Sequence, residues 1–435
     1  MFNAKNFLPL LLVLLLASCS SKKDIPQGKR ISIIDTPELS YQAASKKADI
    51  ELSSASEVKN WYQIGSNEQH LIQNILMAKE TQKRLTIDFG QGSSKRNLLL
   101  ASPVSQNGII YTQDTLGTVR AFDLKSGEQV FKQKLKPLNK NDSSSGLNGA
   151  GLALHGNKLY ALAGFGGIFA LDASDGHILW RQDLTEPIRT APSIANNMLF
   201  VQTINNLLIA FSLKDGSEIW RYSISAEDTI FAGGASPAID SNRQIIVNAF
   251  SNGDIQAFNT KIGYPIWSQN LVNTNFAPSS IHALKASPVI EGKTVYAAGS
   301  NDKMIAADVE TGDILWQMPF GGMSTPLVDK TALFIVTNTH ELLALDKKTG
   351  KLLWQTPLLD DMSLKDRRSV YIFSPLLING HLLITTSNGW LLRFNAKTGT
   401  FLSEDYAGEE LAVQPIVVNG NLILTTKNAK IIIFK

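Results

Sequence analysis

A single cysteine, Cys19, occurs among 435 residues, so no disulfide can staple this chain to itself. Charged side chains amount to only 18% and the net charge is +3, which leaves no electrostatic footprint for nucleic acid. The apolar run Phe7 to Leu16 is too short to span a bilayer as a helix. Catalytic signatures are missing as well: there is no nucleophile elbow, Walker loop, HExxH or paired-cysteine metal site. The histidines at positions 70, 155, 177, 282, 340 and 381 are scattered at no ligand spacing, with His177 and His381 in turn positions that suit a surface residue. Gly164-Phe165-Gly166-Gly167 is glycine-rich, yet no helix start follows it to hold a phosphate. Asp360-Asp361 and Asp366-Arg367-Arg368 read as a solvated loop. Neither a catalytic residue, a metal site nor a cofactor is expected.

What the chain does have is repetition. A variant of Ala-Leu-Asp-x-x-Thr-Gly recurs, ending at Gly127, Gly176, Gly216, Gly263, Gly312, Gly350 and Gly399, at a mean interval of about 45 residues, the period of a four-stranded propeller blade. Four residues after the Gly stands Trp180, Trp220, Trp267, Trp316 or Trp354, with Phe131 in the first copy and Ser403 in the seventh. The copy from Ala286 to Phe320 shows what one unit is. Val289-Ile290, Thr294 to Ala298, Met304 to Asp308 and Ile314 to Trp316 are apolar or β-branched runs, which suit strands. Gly, Asn and Asp separate them and supply the turns. Such a meander has two apolar faces and gains stability only by stacking on its neighbours. A ring as large as indole at the repeat position suits a wedge between blades, its N–H reaching a backbone carbonyl. Trp390 alone departs from that position and reads as surface packing.

Seven motifs imply eight blades, because the chain begins another copy before it stops. Gln414 to Val418, Asn421 to Thr425 and Lys430 to Phe434 make three strands of an eighth blade. Val58 to Gly65, with Trp61 in strand context, is the candidate for the fourth, pairing with Ile431 to Phe434 and closing the ring. The expected fold is therefore all-β: an eight-bladed propeller of four-stranded antiparallel blades, closed by an N-terminal strand that completes the last blade. It would occupy residues 57–435.

The N-terminus supplies an address. Lys5, the apolar run and Ala17-Ser18 form a secretory signal over residues 1–18. Leu16-Ala17-Ser18-Cys19 matches the bacterial lipobox, so Cys19 is expected to be acylated and to anchor the mature chain, more than one acyl chain being needed for stable attachment. Ser20 stands where an inner-membrane retention signal would have Asp. The expected location is the periplasmic face of the outer membrane, with residues 19–56, rich in Ser, Lys, Ala and Asp, as a lipidated tether.

The repeats Ala-Leu-Asp-x-x-Thr-Gly-x-x-x-Trp resemble the pyrroloquinoline quinone type of propeller repeat. Together with the lipobox at Leu16 to Cys19, they make the chain similar to the BamB lipoprotein family. That resemblance implies a non-enzymatic scaffold of the outer-membrane β-barrel assembly machine, which binds the periplasmic POTRA domains of BamA, works beside other subunits of that complex and assists nascent outer-membrane proteins. Quinoprotein dehydrogenases share the repeat but are longer, and many carry a vicinal disulfide that this chain cannot form. A scaffold for another envelope complex is the other alternative. Members of the BamB family place an apolar and Arg-bearing stretch ahead of the fourth Ser-Pro strand and an acidic pair ahead of the fifth. Here those stretches fall on Thr229-Ile230-Phe231-Ala232 and Ala283-Leu284-Lys285, with Ala232 in the Arg position and no acid. The resemblance then implies an apolar contact surface built from Ile230, Phe231, Phe276, Ile281 and Leu284.

Overall fold

A computed structural model of the chain describes residues 50–77, 83–138, 149–188, 190–225, 234–272, 284–300, 303–359 and 370–434. Those residues form eight four-stranded antiparallel sheets, the blades of a β-propeller. Blade 5 is representative: Val289–Glu291, Thr294–Ala298, Met304–Asp308 and Ile314–Met318 pair in sequence order from the axis outward. Its two middle strands are almost wholly buried, because a neighbouring blade covers each face. The outer strand buries Trp316 but exposes Ile314 and Leu315.

The recurring motif closes the hairpin between the third and outer strands. In blade 5 the Asp308 carboxylate accepts the amides of Glu310 (2.8 Å) and Thr311 (3.1 Å), while Gly312 takes φ 77°, where a side chain would be strained. A Cβ on Gly312 would also lie 2.7 Å from Cδ2 of Trp267, the indole of blade 4. Each indole thus seats on the glycine turn of the next blade, and its N–H donates to a carbonyl there. Trp180 donates to Leu213 (3.2 Å), Trp220 to Thr260 (2.7 Å), Trp267 to Val309 (2.9 Å), Trp316 to Lys347 (2.9 Å) and Trp354 to Ala396 (3.2 Å). Phe131 seats on Gly176 in the same way without a donor. Trp390 is 39% exposed and packs on Tyr406, ring centroids 5.3 Å apart.

Closure is of the expected kind but uses a different segment. The strand that completes blade 8 is Lys83–Asp88, which pairs antiparallel with Lys430–Phe434, Ile87 opposite Ile431. Its alternation of Leu85 and Ile87 with Thr86 and Asp88 gives the period-two pattern that an edge strand needs. Val58 to Gly65 has no such alternation. Leu85 and Ile87 also reach the Gly127 turn of blade 1, so an aliphatic pair stands where six of the other seams have a ring. Trp61 is therefore not the eighth repeat's Trp. It is 2% exposed and bridges Ser105 on the innermost strand of blade 1.

Residues 50–77 instead make a circuit around the axis, touching the innermost strand, or the turn after it, of every blade. Residues 50–56, assigned to the tether by sequence, belong to this circuit. Ser53 N–H donates to Asp329 of blade 6 (2.8 Å), and the Asn419 amide of blade 8 donates to Val58 O (2.8 Å). Trp61 and Ser105 exchange amide bonds of 2.7 and 2.8 Å, and Leu154 of blade 2 donates to Tyr62 O (2.7 Å). Ile194 of blade 3 donates to Gln63 Oε1 (2.7 Å). Ile239 of blade 4 donates to Glu68 O (2.7 Å), Ile290 of blade 5 to Gln69 O (3.0 Å), and Ile75 to Leu377 O of blade 7 (2.8 Å). Inner strands would otherwise turn unpaired amides and carbonyls toward the axis; the circuit satisfies part of that row.

Candidate partner-binding surfaces

The circuit lies on the face that carries the first and third hairpin turns of each blade. On the opposite face, the connections between blades surround an axial cavity of about 460 Å³. Ile64 of the circuit lines it, with Leu99, Met323, Phe373 and Val413 on the walls. Lys285 enters this cavity, its ammonium 4.1 Å from the centre of the Tyr371 ring. Burial holds the amine below its ordinary range and pushes the Tyr371 phenol up to about 12, the phenol donating to Met323 O (3.3 Å). A cation resting on a ring face in a dry site is favourable without a carboxylate partner. Among the described residues no cluster of three or more His, Cys, Asp or Glu could hold a metal ion.

The surface expected from sequence is only partly described. Ile230, Phe231, Phe276 and Ile281 lie outside the described residues. Leu284 is 5% exposed and packs with Leu271, Ile305 and Ala297 in the core between blades 4 and 5, so it is a buried wedge rather than an exposed contact. Its neighbour Lys285 turns the other way, into the axial cavity, because the chain there is already entering the inner strand and sends alternate side chains to opposite sides. Cys19 and the residues after it up to 49 also lie outside the described residues.

Sequence reading missed two features. The first is His70, 3% exposed, in the circuit rather than on the surface. Its Nδ1 lies 2.9 Å from Pro288 O, while Nε2 is buried without a partner. Burial lowers its pKa to about 4. The folded state therefore takes up the proton less readily than the unfolded chain. The neutral ring's contribution is fully present above pH 6.5 and is lost as pH falls from there toward about 4, a total of about 3 kcal/mol. Denaturant melts from pH 7 to 4 should show His70→Gln losing less stability than the wild type over that window; parallel curves would remove His70 as the cause.

The second is the turn Asn259 to Tyr264 of blade 4. Ile262 and Tyr264 are each 69% exposed, at positions where the other turns carry polar residues such as Ser126 and Glu128, or Thr349 and Lys351. Alignment of the repeats holds this signal, which is a departure from pattern rather than a motif.

Comparison with known proteins agrees with the architecture. The family model described as outer membrane protein assembly factor BamB matches residues 115–356 and 326–435. Outer membrane protein assembly factor BamB of Yersinia pestis is 23% identical over 306 residues, 69% of this chain and 75% of that protein. The crystal structure of BamB from Moraxella catarrhalis superposes with a TM-score of 0.65 at 17% identity, covering 81% of this chain and 97% of the other. Quinohemoprotein alcohol dehydrogenase from Comamonas testosteroni gives 0.68 at 14% identity, covering 90% and 83%. At such identities the solved structures speak for the fold alone.

Proposed function

Because this chain belongs to the family of outer membrane protein assembly factor BamB, we propose that it is a non-enzymatic propeller scaffold of the outer-membrane β-barrel assembly complex. It docks on the periplasmic POTRA domains of BamA and is held at the periplasmic face of the outer membrane by an acylated Cys19. The observation that carries this reading is the family match from the third strand of blade 1 to the last strand of blade 8. Two further features support it. The indoles of the repeat are consumed in blade packing, each bonded to the next blade, which leaves the inter-blade connections to meet partners. Two of those connections, residues 226–233 and 273–283, carry the apolar residues Ile230, Phe231, Phe276 and Ile281.

A pull-down of the BamA periplasmic region tests the docking. Phe231→Asp and Phe276→Asp should each weaken capture by about tenfold or more, as expected for an aromatic anchor, whereas Tyr264→Asp, in a hairpin turn within blade 4 rather than in a connection between blades, should not. Undiminished capture by folded Phe231→Asp and Phe276→Asp proteins rejects this surface. Cys19→Ala should move the protein from the membrane to the soluble fraction without affecting capture, which separates the anchor from the interface.

A further inference from the structure

Six seams between consecutive blades share one lock: a ring from the outer strand of one blade lies on the glycine turn of the next. The ring has room because the residue across the ladder is alanine. Ala121 faces Phe131, Ala170 faces Trp180, Ala210 faces Trp220, and the same pairing holds at Trp267, Trp316 and Trp354. Between blades 7 and 8 both halves are absent. Ser403 stands in the ring position and Arg393 faces it in place of alanine. Blade 8 is assembled from the two ends of the chain, so it has no hairpin between its third and outer strands and no glycine turn to receive a ring.

The seam is left with an opening of about 650 Å³, walled by Met77, Leu382, Leu383 and Leu422 and by Arg393 with its partner Asp405. The outer strand beside it, Phe401–Tyr406, is exposed along its whole length. The chain between Met77 and Lys83 reads Ala78-Lys79-Glu80-Thr81-Gln82 and brings no aromatic residue.

We propose that the seam between blades 7 and 8 is a receptor for an aromatic side chain carried on an extended segment of a partner polypeptide. The partner supplies from outside the ring that six seams supply from within. Those six seams show what chemistry this position accepts, and the opening has room for an indole with its neighbours. The planar Arg393 guanidinium on the wall suits an aromatic face. Glu404 on the adjoining exposed strand favours a basic residue flanking the ring. The assignment is independent of docking on BamA, which involves other blades.

Fluorescence anisotropy with the full mature chain tests it. The probe is a fluorescein-labelled peptide of alternating Lys and Trp, compared with one of alternating Lys and Ala. The Trp peptide should bind, and the Ala peptide should bind about tenfold more weakly or worse. The double variant R393A/S403W rebuilds the repeat's own alanine and ring; it should lose Trp-peptide binding by about tenfold, with an unchanged or higher Tm. Ser403→Gln, a milder filling on an exposed strand, should lose severalfold and covers the case in which the double variant does not fold. Equal binding of both peptides would reduce the effect to charge on the acidic strand and overturn the proposal. So would equal binding by the folded variants, or no binding by the wild type. Tyr41 is the one aromatic residue between Cys19 and Ile50, so binding that appears only in Tyr41→Ala would assign the seam to this chain's own N-terminal region, and overturns the partner reading too.

Discussion

Deleting Lys83–Asp88 is expected to leave a protein that aggregates instead of folding. The deletion strips the outer strand from blade 8, which exposes the amides and carbonyls of Lys430–Phe434 along one edge. It also removes Leu85 and Ile87 from the Gly127 turn of blade 1, so the ring loses a seam as well as a strand. An unpaired apolar edge of this kind is a template for intermolecular pairing. A milder version separates the two losses. Leu85→Asp and Ile87→Asp keep the backbone but place charge at the seam; Ile87→Asp should cost several kcal/mol because an unpaired charge is driven into a buried apolar site, and Leu85→Asp, at a half-buried position, should cost less. Size-exclusion chromatography and thermal melts of the three proteins check this. A soluble deletion protein with the wild-type melting temperature would show that the ring closes some other way.

The second large effect belongs to the seams. Trp220→Ala is expected to cost about 3–5 kcal/mol. The substitution empties the space above Gly263, separates a ring pair with Phe200 (5.9 Å) and leaves the buried Thr260 carbonyl without the indole donor. Ser403→Ala, at the same repeat position, should shift stability by no more than a few tenths of a kcal/mol, because nothing seats there. The pair of variants compares one address in the repeat with and without its lock. Denaturant midpoints that coincide for the two would mean that the indoles are decorative and that the strands alone hold the blades.

These two cases also show how far the sequence could be read. The blade itself was legible, since Thr294 to Ala298 and Met304 to Asp308 carry their strands in composition and their turns in Gly and Asp, and the indole's role followed from its spacing. The strand that closes the ring was not. Trp61 attracted the assignment because a Trp marks five of the seven other outer strands, yet an outer strand in blade 8 has no need of one: it meets blade 1 through Leu85. Tertiary context overrode the pattern at that point. The circuit of residues 50–77 was illegible for a different reason. Most of its bonds run from backbone to the inner strands, or the turns after them, of eight separate blades, and backbone pairing leaves no side-chain period to detect. Leu284 failed as a surface residue because a repeat register gives a position along the chain and not the side of the strand on which a side chain falls. His70 carries no local signal, as its burial depends on Pro288, far away in sequence.

The circuit also sets the order of events when the chain is made. Residues 50–88 precede every inner strand in the chain, yet their partners are spread from Ser105 to Phe434. Blades in the middle can form from local hairpins as they appear, while the opening segment must wait for the final strand before it can finish its own bonds. Long-range pairing of this kind is slow, and until it occurs a nearly complete propeller has loose ends at both termini. Closing the ring is therefore the one step that the repeats cannot accomplish among themselves.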